Sequence, residues 1–117
     1  MQNKFGGVGM HQLRANNGRG DYDSRANISV KFLHPDRKDV TICYNGLLAK
    51  SGASQVYLHT GTGNDWENSY DHRMEPTSNG WEKTIQMERS NINFCFKDSA
   101  CNWDNNNGQN WCFNLMG

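Results

Sequence analysis

The chain has little of what would tie it to a membrane, a nucleic acid or a metal. No run of apolar residues approaches the length that crosses a bilayer. Neither sign of charge is in excess: twelve basic residues balance twelve acidic ones. No basic field therefore exists to draw in a phosphate backbone or an anionic lipid surface, and neither partner is expected. None of the four cysteines, Cys43, Cys95, Cys101 and Cys112, stands in a Cys-x-x-Cys pair, which argues against zinc. The first twenty residues lack the basic start and apolar stretch of a signal peptide.

What is present is glycine, asparagine and short alternating segments. With 117 residues, 35% of them hydrophobic, the chain is long enough for one two-layer core but not two. A turn-dense composition of this kind predicts an all-β fold. Residues 1–24, with glycines at 6, 7, 9, 18 and 20 and no periodicity, read as a flexible arm. Residues 25–117 read as the folded module. Arg19-Gly20-Asp21 within the arm is a three-residue match best attributed to chance.

Ile28, Val30 and Phe32 alternate with polar neighbours, and Val40, Ile42 and Tyr44 repeat the pattern after a turn at Pro35-Asp36. The two segments predict a hairpin. Leu47 to Ala53 is too short and glycine-broken for a firm helix. In the next strand, Gln55 to Thr60, Val56 and Leu58 share one face while Tyr57 and His59 share the other. A glycine-rich loop then carries Trp66. Trp81, Lys83, Ile85 and Met87 form a further alternating strand, with Trp81 a core or edge-packing residue. Six or seven strands separated by short turns predict an antiparallel β-sandwich of immunoglobulin-like topology.

The most informative stretch is 91–115. Asn91 to Lys97 and Asn110 to Leu115 both alternate polar and apolar residues, predicting two paired strands. Placing Phe96 opposite Trp111 and Phe94 opposite Phe113 gathers four rings on one face. That register sets Cys95 opposite Cys112, as a bridge or as reduced thiols packed as small hydrophobes. Between the strands lies Trp103-Asp104-Asn105-Asn106-Asn107-Gly108, turn chemistry apart from its indole. Trp103 either tucks under its own loop or stays open to a ligand. An indole face beside amides, with no positive cluster, suits the C–H face and hydroxyls of a sugar.

Trp103-Asp104-Asn105-Asn106, with Gly108 and Asn110-Trp111, resembles the signature loop of starch-binding carbohydrate-binding modules of family 25 and the related family 53. The order Leu58-His59, Trp66, Met74, Gly80-Trp81 and Phe94-Cys95-Phe96 extends the likeness from about Val40 to Leu115. The resemblance implies non-catalytic binding of α-1,4-glucan, as starch, glycogen or maltooligosaccharides. In that role Trp66 and Trp103 stack on glucose rings, His59 adds a contact, and Asn105 and Asn106 hydrogen-bond hydroxyls. A glucan-active enzyme domain in a longer parent protein is the implied companion. The expected location is cytoplasmic for a complete chain and outside the cell for a module of an exported enzyme.

The rival reading is an immunoglobulin-like protein–protein module in which Trp66, Trp103 and Tyr70 form an interface hot spot. Enzymatic chemistry is not expected. Asp65, Glu67, Asp71 and Asp104 read as solvated charges rather than a glycosidase pair, and no cofactor is implied. Asp104 to Gly108 does not fit a helix-loop-helix calcium site, since Gly is fifth and the twelfth residue is Leu115.

Overall fold

The computed structural model describes residues 11–15, 21–23, 26–32, 39–63, 65–87 and 91–115. In chain order the elements are β1 (His11–Ala15), β2 (Asp21–Asp23), β3 (Ile28–Phe32), β4 (Asp39–Tyr44), α1 (Leu47–Lys50), β5 (Val56–Thr62), β6 (Glu67–Arg73), β7 (Glu75–Thr77), β8 (Gly80–Gln86), β9 (Asn91–Asp98), β10 (Trp103–Asp104) and β11 (Trp111–Leu115). Among the described residues helix is confined to a single turn, and the fold is all-β as the composition predicts.

Two sheets face each other. One runs β1-β11-β9-β5-β6, with β10 added to β9; the other runs β2-β3-β4-β8-β7. Pairing is antiparallel except between β1 and β11, which run parallel with His11 beside Trp111. The expected hairpin forms, with Val30 opposite Ile42 and Phe32 opposite Val40. Alternation does its work in both sheets. Val56 and Leu58 are buried while Tyr57 and His59 are not, and Val30, Val40, Ile42 and Tyr44 meet Leu58, Phe94, Phe96, Trp111 and Phe113 between the layers.

Aromatic packing ties the layers together. Tyr44 of one sheet stacks on Phe96 of the other, ring centroids 4.0 Å apart and planes 15° off parallel. Phe96 and Phe94 both pack on Trp111, at 5.7 Å and 6.1 Å. Fully burying such a ring contributes about 1.5–3 kcal/mol relative to exposure. Trp81 is half-buried and packs against this core, as expected.

Three expectations need correction. Within the stretch read as an arm, His11–Ala15 and Asp21–Asp23 are strands of the two sheets; residues 1–10, 16–20 and 24, including the glycines there, lie outside the described residues. The β9–β11 register is shifted by two residues, with Trp111 opposite Phe94, Cys112 opposite Asn93 and Phe113 opposite Ile92. The cause is β10: Trp103 and Asp104 take up Lys97 and Phe96 as partners, which pushes β11 further along β9. A two-residue shift keeps every side chain on its face, so the four rings still meet. It also separates Cys95 from Cys112, and all four cysteines are free.

Candidate functional site

His59 leaves the outer face of β5 because Leu58 and Thr60, on either side of it, point into the core. Its cross-strand neighbours are Asp71 on β6 and Cys95 on β9. Tyr57, two residues earlier, pairs with Arg73 and Lys97 in the same way. Three strands therefore bring His59, Asp71, Cys95, Tyr57 and Lys97 onto one surface.

Trp66 is delivered to that surface by the turn after β5. Its backbone sits in the left-handed region at φ 53°, where an L side chain is strained by about 1–3 kcal/mol, and its N–H donates to the Gly63 carbonyl at 3.3 Å. The indole rests on Gly61, where only glycine leaves room for it. It stacks with His59, centroids 5.5 Å apart and planes 19° from parallel.

Trp103 arrives from the other side. It is not a loop residue but half of β10, paired with Lys97, and 46% of its surface is exposed. Its ring meets His59 edge-on, 5.3 Å away at 88°. The two indoles thus share one histidine and are steeply inclined to each other. Lys97 Nζ stands over the Trp103 ring at 5.3 Å, a cation–π contact that holds the ring in place.

Asp71 connects the set. Its Oδ1 is 2.5 Å from His59 Nδ1 and its Oδ2 is 2.6 Å from Lys97 Nζ. Burial raises the Asp71 pKa, but hydrogen bonds from Lys97 and His59 outweigh it and hold the carboxyl below its ordinary value. The same contact raises the Lys97 pKa. His59 Nδ1 faces the Asp71 carboxylate, which leaves Nε2 as its other polar atom. Beneath the rings, burial together with the charges of Asp71 and Asp104 pushes the Cys95 thiol up to about 12. The floor of the site is buried.

Asn105 and Asn106 are placed differently. Asn105 Oδ1 accepts from Gly108 N–H at 2.9 Å, and Asn106 Nδ2 donates to the Asn110 carbonyl at 3.3 Å. Asn106, Asn107 and Asn110 all have positive φ, the left-handed positions for which asparagine suits. Asn106 also lines a cleft of about 500 Å³ with Asp23, Leu47, Asp104 and Trp111. Both asparagines build the turn that carries Trp103, whereas the rings gather around His59. Tyr70 does not join the two tryptophans: it neighbours Asp71 in β6 and so projects from the opposite face.

Sequence reading missed Asp71 and Lys97. Their signal was the alternation itself, since any residue paired with His59 or Tyr57 must share their face. Among the described residues no group of three or more His, Cys, Asp or Glu is placed to hold a metal ion, and no helix is long and apolar enough to cross a membrane.

Residues 40–94 match the starch/carbohydrate-binding module of family 53, a span that includes His59, Asp71 and Trp66. A curated relative, an alpha-amylase of Clostridium acetobutylicum, is 38% identical over 79 residues, covering 65% of this chain and 10% of the amylase. The chain thus spans about a tenth of the relative it matches. No solved structure matches.

Proposed function

We propose, from the match of residues 40–94 to a starch/carbohydrate-binding family, that this domain binds α-1,4-glucan without cleaving it, through Trp66, Trp103 and His59. One observation carries the reading. An indole from the turn after β5 and one from β10 reach one histidine on one sheet face, and Trp103 is left about half open to water. Each ring offers its face to the C–H surface of a glucose unit, and His59 Nε2 hydrogen-bonds a hydroxyl. The opposed charges of Asp71 and Lys97 cancel, which suits a neutral ligand.

Steep inclination of the two rings favours a curved chain. α-1,4-Glucan bends from one residue to the next, whereas a flat ribbon such as cellulose needs coplanar platforms. Two stacked rings at about 1–3 kcal/mol each, less the cost of association, give affinities no tighter than about micromolar. Asn105 and Asn106 support the site by shaping its turn, and their remaining polar atoms reach hydroxyls of a longer oligosaccharide.

The finer assignments belong to the same proposal. The order of Leu58-His59, Trp66, Met74 and Trp103 supports a site of the family-25 kind. The sheet orders β3-β4-β8-β7 and β6-β5-β9-β11 support immunoglobulin-like topology, with β3, β4, β8 and β7 in the places of strands A, B, E and D and β6, β5, β9 and β11 in those of C′, C, F and G. The amylase relative supports a glucan-active enzyme domain as companion. An exported parent would carry the module outside the cell, and a free-standing chain would meet glycogen in the cytoplasm. The rival protein–protein hot spot loses Tyr70, which faces away from the two indoles.

Retention on amylose resin, release by maltooligosaccharides and quenching of tryptophan fluorescence test the reading. Equal retention on cellulose would contradict the curved-chain argument.

A further inference from the structure

On the other face of β6 lies a second cleft that the tryptophan site does not use. Its volume is about 240 Å³. Ile85 and Ile92, both buried, form its floor, and Tyr70, His72, Gln86 and Asn68 stand around it. Tyr70 is 64% exposed. It is held edge-on against His72, centroids 4.7 Å apart at 62°. His72 Nε2 is in turn 3.0 Å from Thr60 Oγ1, so both rings are fixed before anything binds.

The chemistry of the lining selects a ligand class. Among the described residues the lining carries no carboxylate, lysine or arginine, and its polar groups are amides, hydroxyls and one imidazole. Burial, then the nearby charge of Lys83, lowers the His72 pKa, which keeps the imidazole neutral. An apolar ligand would strand the amides and hydroxyls. A ligand with one C–H face and a rim of hydroxyls satisfies both sides. The volume falls below the ~300–1,000 Å³ of sites for drug-sized ligands, which suits one sugar ring rather than a length of chain.

We infer that the cleft beside Tyr70 is a second carbohydrate site, taking a single glucosyl unit against the Tyr70 ring, with Gln86 and Asn68 meeting its hydroxyls. This rests on the glucan-binding reading for the identity of the sugar. The two sites lie on opposite faces of one sheet, so a short oligosaccharide fills them independently. A branched or bundled polymer engages both, and the domain then gains by effective concentration.

The test is a titration of the whole chain with maltotriose, followed by calorimetry and by the NMR signals of His72 and the tyrosine rings. Wild type should bind two molecules of sugar, with His72 and Tyr70 shifting. Tyr70→Ala and Gln86→Ala, both at exposed positions, should each weaken the second event while the tryptophan fluorescence titration stays as in wild type. Retention of Tyr70→Ala on insoluble amylose should fall roughly tenfold or more as avidity is lost. Tryptophan signals that titrate while His72 and Tyr70 stay still would overturn this inference and leave the glucan-binding reading intact. No response at either face would overturn both. Self-association removed by Tyr70→Ala, with no sugar response at Tyr70, would mark a protein contact instead and overturn it as well.

Discussion

Gly61 lies directly beneath Trp66: a β-carbon placed on it would stand 2.7 Å from Trp66 Cε3 and 3.0 Å from Trp66 Cα. Neither atom belongs to a flexible chain end, so the indole and its turn would have to move. Gly61→Ala should cost about 1–3 kcal/mol of stability from overpacking. It should also weaken maltooligosaccharide binding by about tenfold, the effect of losing roughly 1.4 kcal/mol of stacking. Urea denaturation and calorimetric titration read the two effects separately.

Tyr44 reaches from the core to the turn that carries Trp103. Its hydroxyl donates to Asp104 Oδ2 at 2.5 Å and accepts from Leu48 N–H at 3.0 Å. Tyr44→Phe keeps the stack on Phe96 but leaves a buried N–H unpaired. A loss of about 1–3 kcal/mol is expected, with weaker sugar binding because β10 is no longer anchored. Thermal unfolding and a fluorescence titration check it.

Asp71 gives the protein an acid-sensitive contact. Its folded pKa lies below the ordinary 3.8, so the contribution is present above that value and lost as pH falls through the folded pKa. The Lys97 pKa is raised above 10.5, so its share is present below that value and lost as pH rises through the folded one. The urea midpoint of wild type should therefore fall more between pH 5 and pH 2, on the order of the carboxylate range, than that of Asp71→Asn. The variant should also bind sugar more weakly at neutral pH, since His59 loses the partner that orients it.

The strands of the hairpins were legible because burial imposes period two on them; that period set His59 on the outer face of its strand, and Trp66 and Trp103 were legible as indoles outside it. The β9–β11 register was not, because a shift of two residues leaves the pattern unchanged and only the pairing of Trp103 with Lys97 decides it. Asp71 looked like any solvated charge until the β5–β6 pairing set it opposite His59. The strand at His11–Ala15 is held by parallel pairing to β11, and its alternation is confined to Leu13 and Ala15 beside Gln12 and Arg14, too short to announce it. The amides of Asn105 and Asn106 fitted sugar chemistry by type; their use within their own turn depends on backbone geometry that composition does not carry.

The central claim is that Trp66 and Trp103 form one sugar platform around His59. Calorimetric titration of Trp103→Ala with maltooligosaccharide tests it most directly, since the ring is half exposed and its loss leaves the core intact. The account predicts that binding falls by about tenfold or more, the equivalent of roughly 1.4 kcal/mol or more of lost stacking, while the unfolding midpoint stays close to wild type. Wild-type affinity in the variant would contradict it.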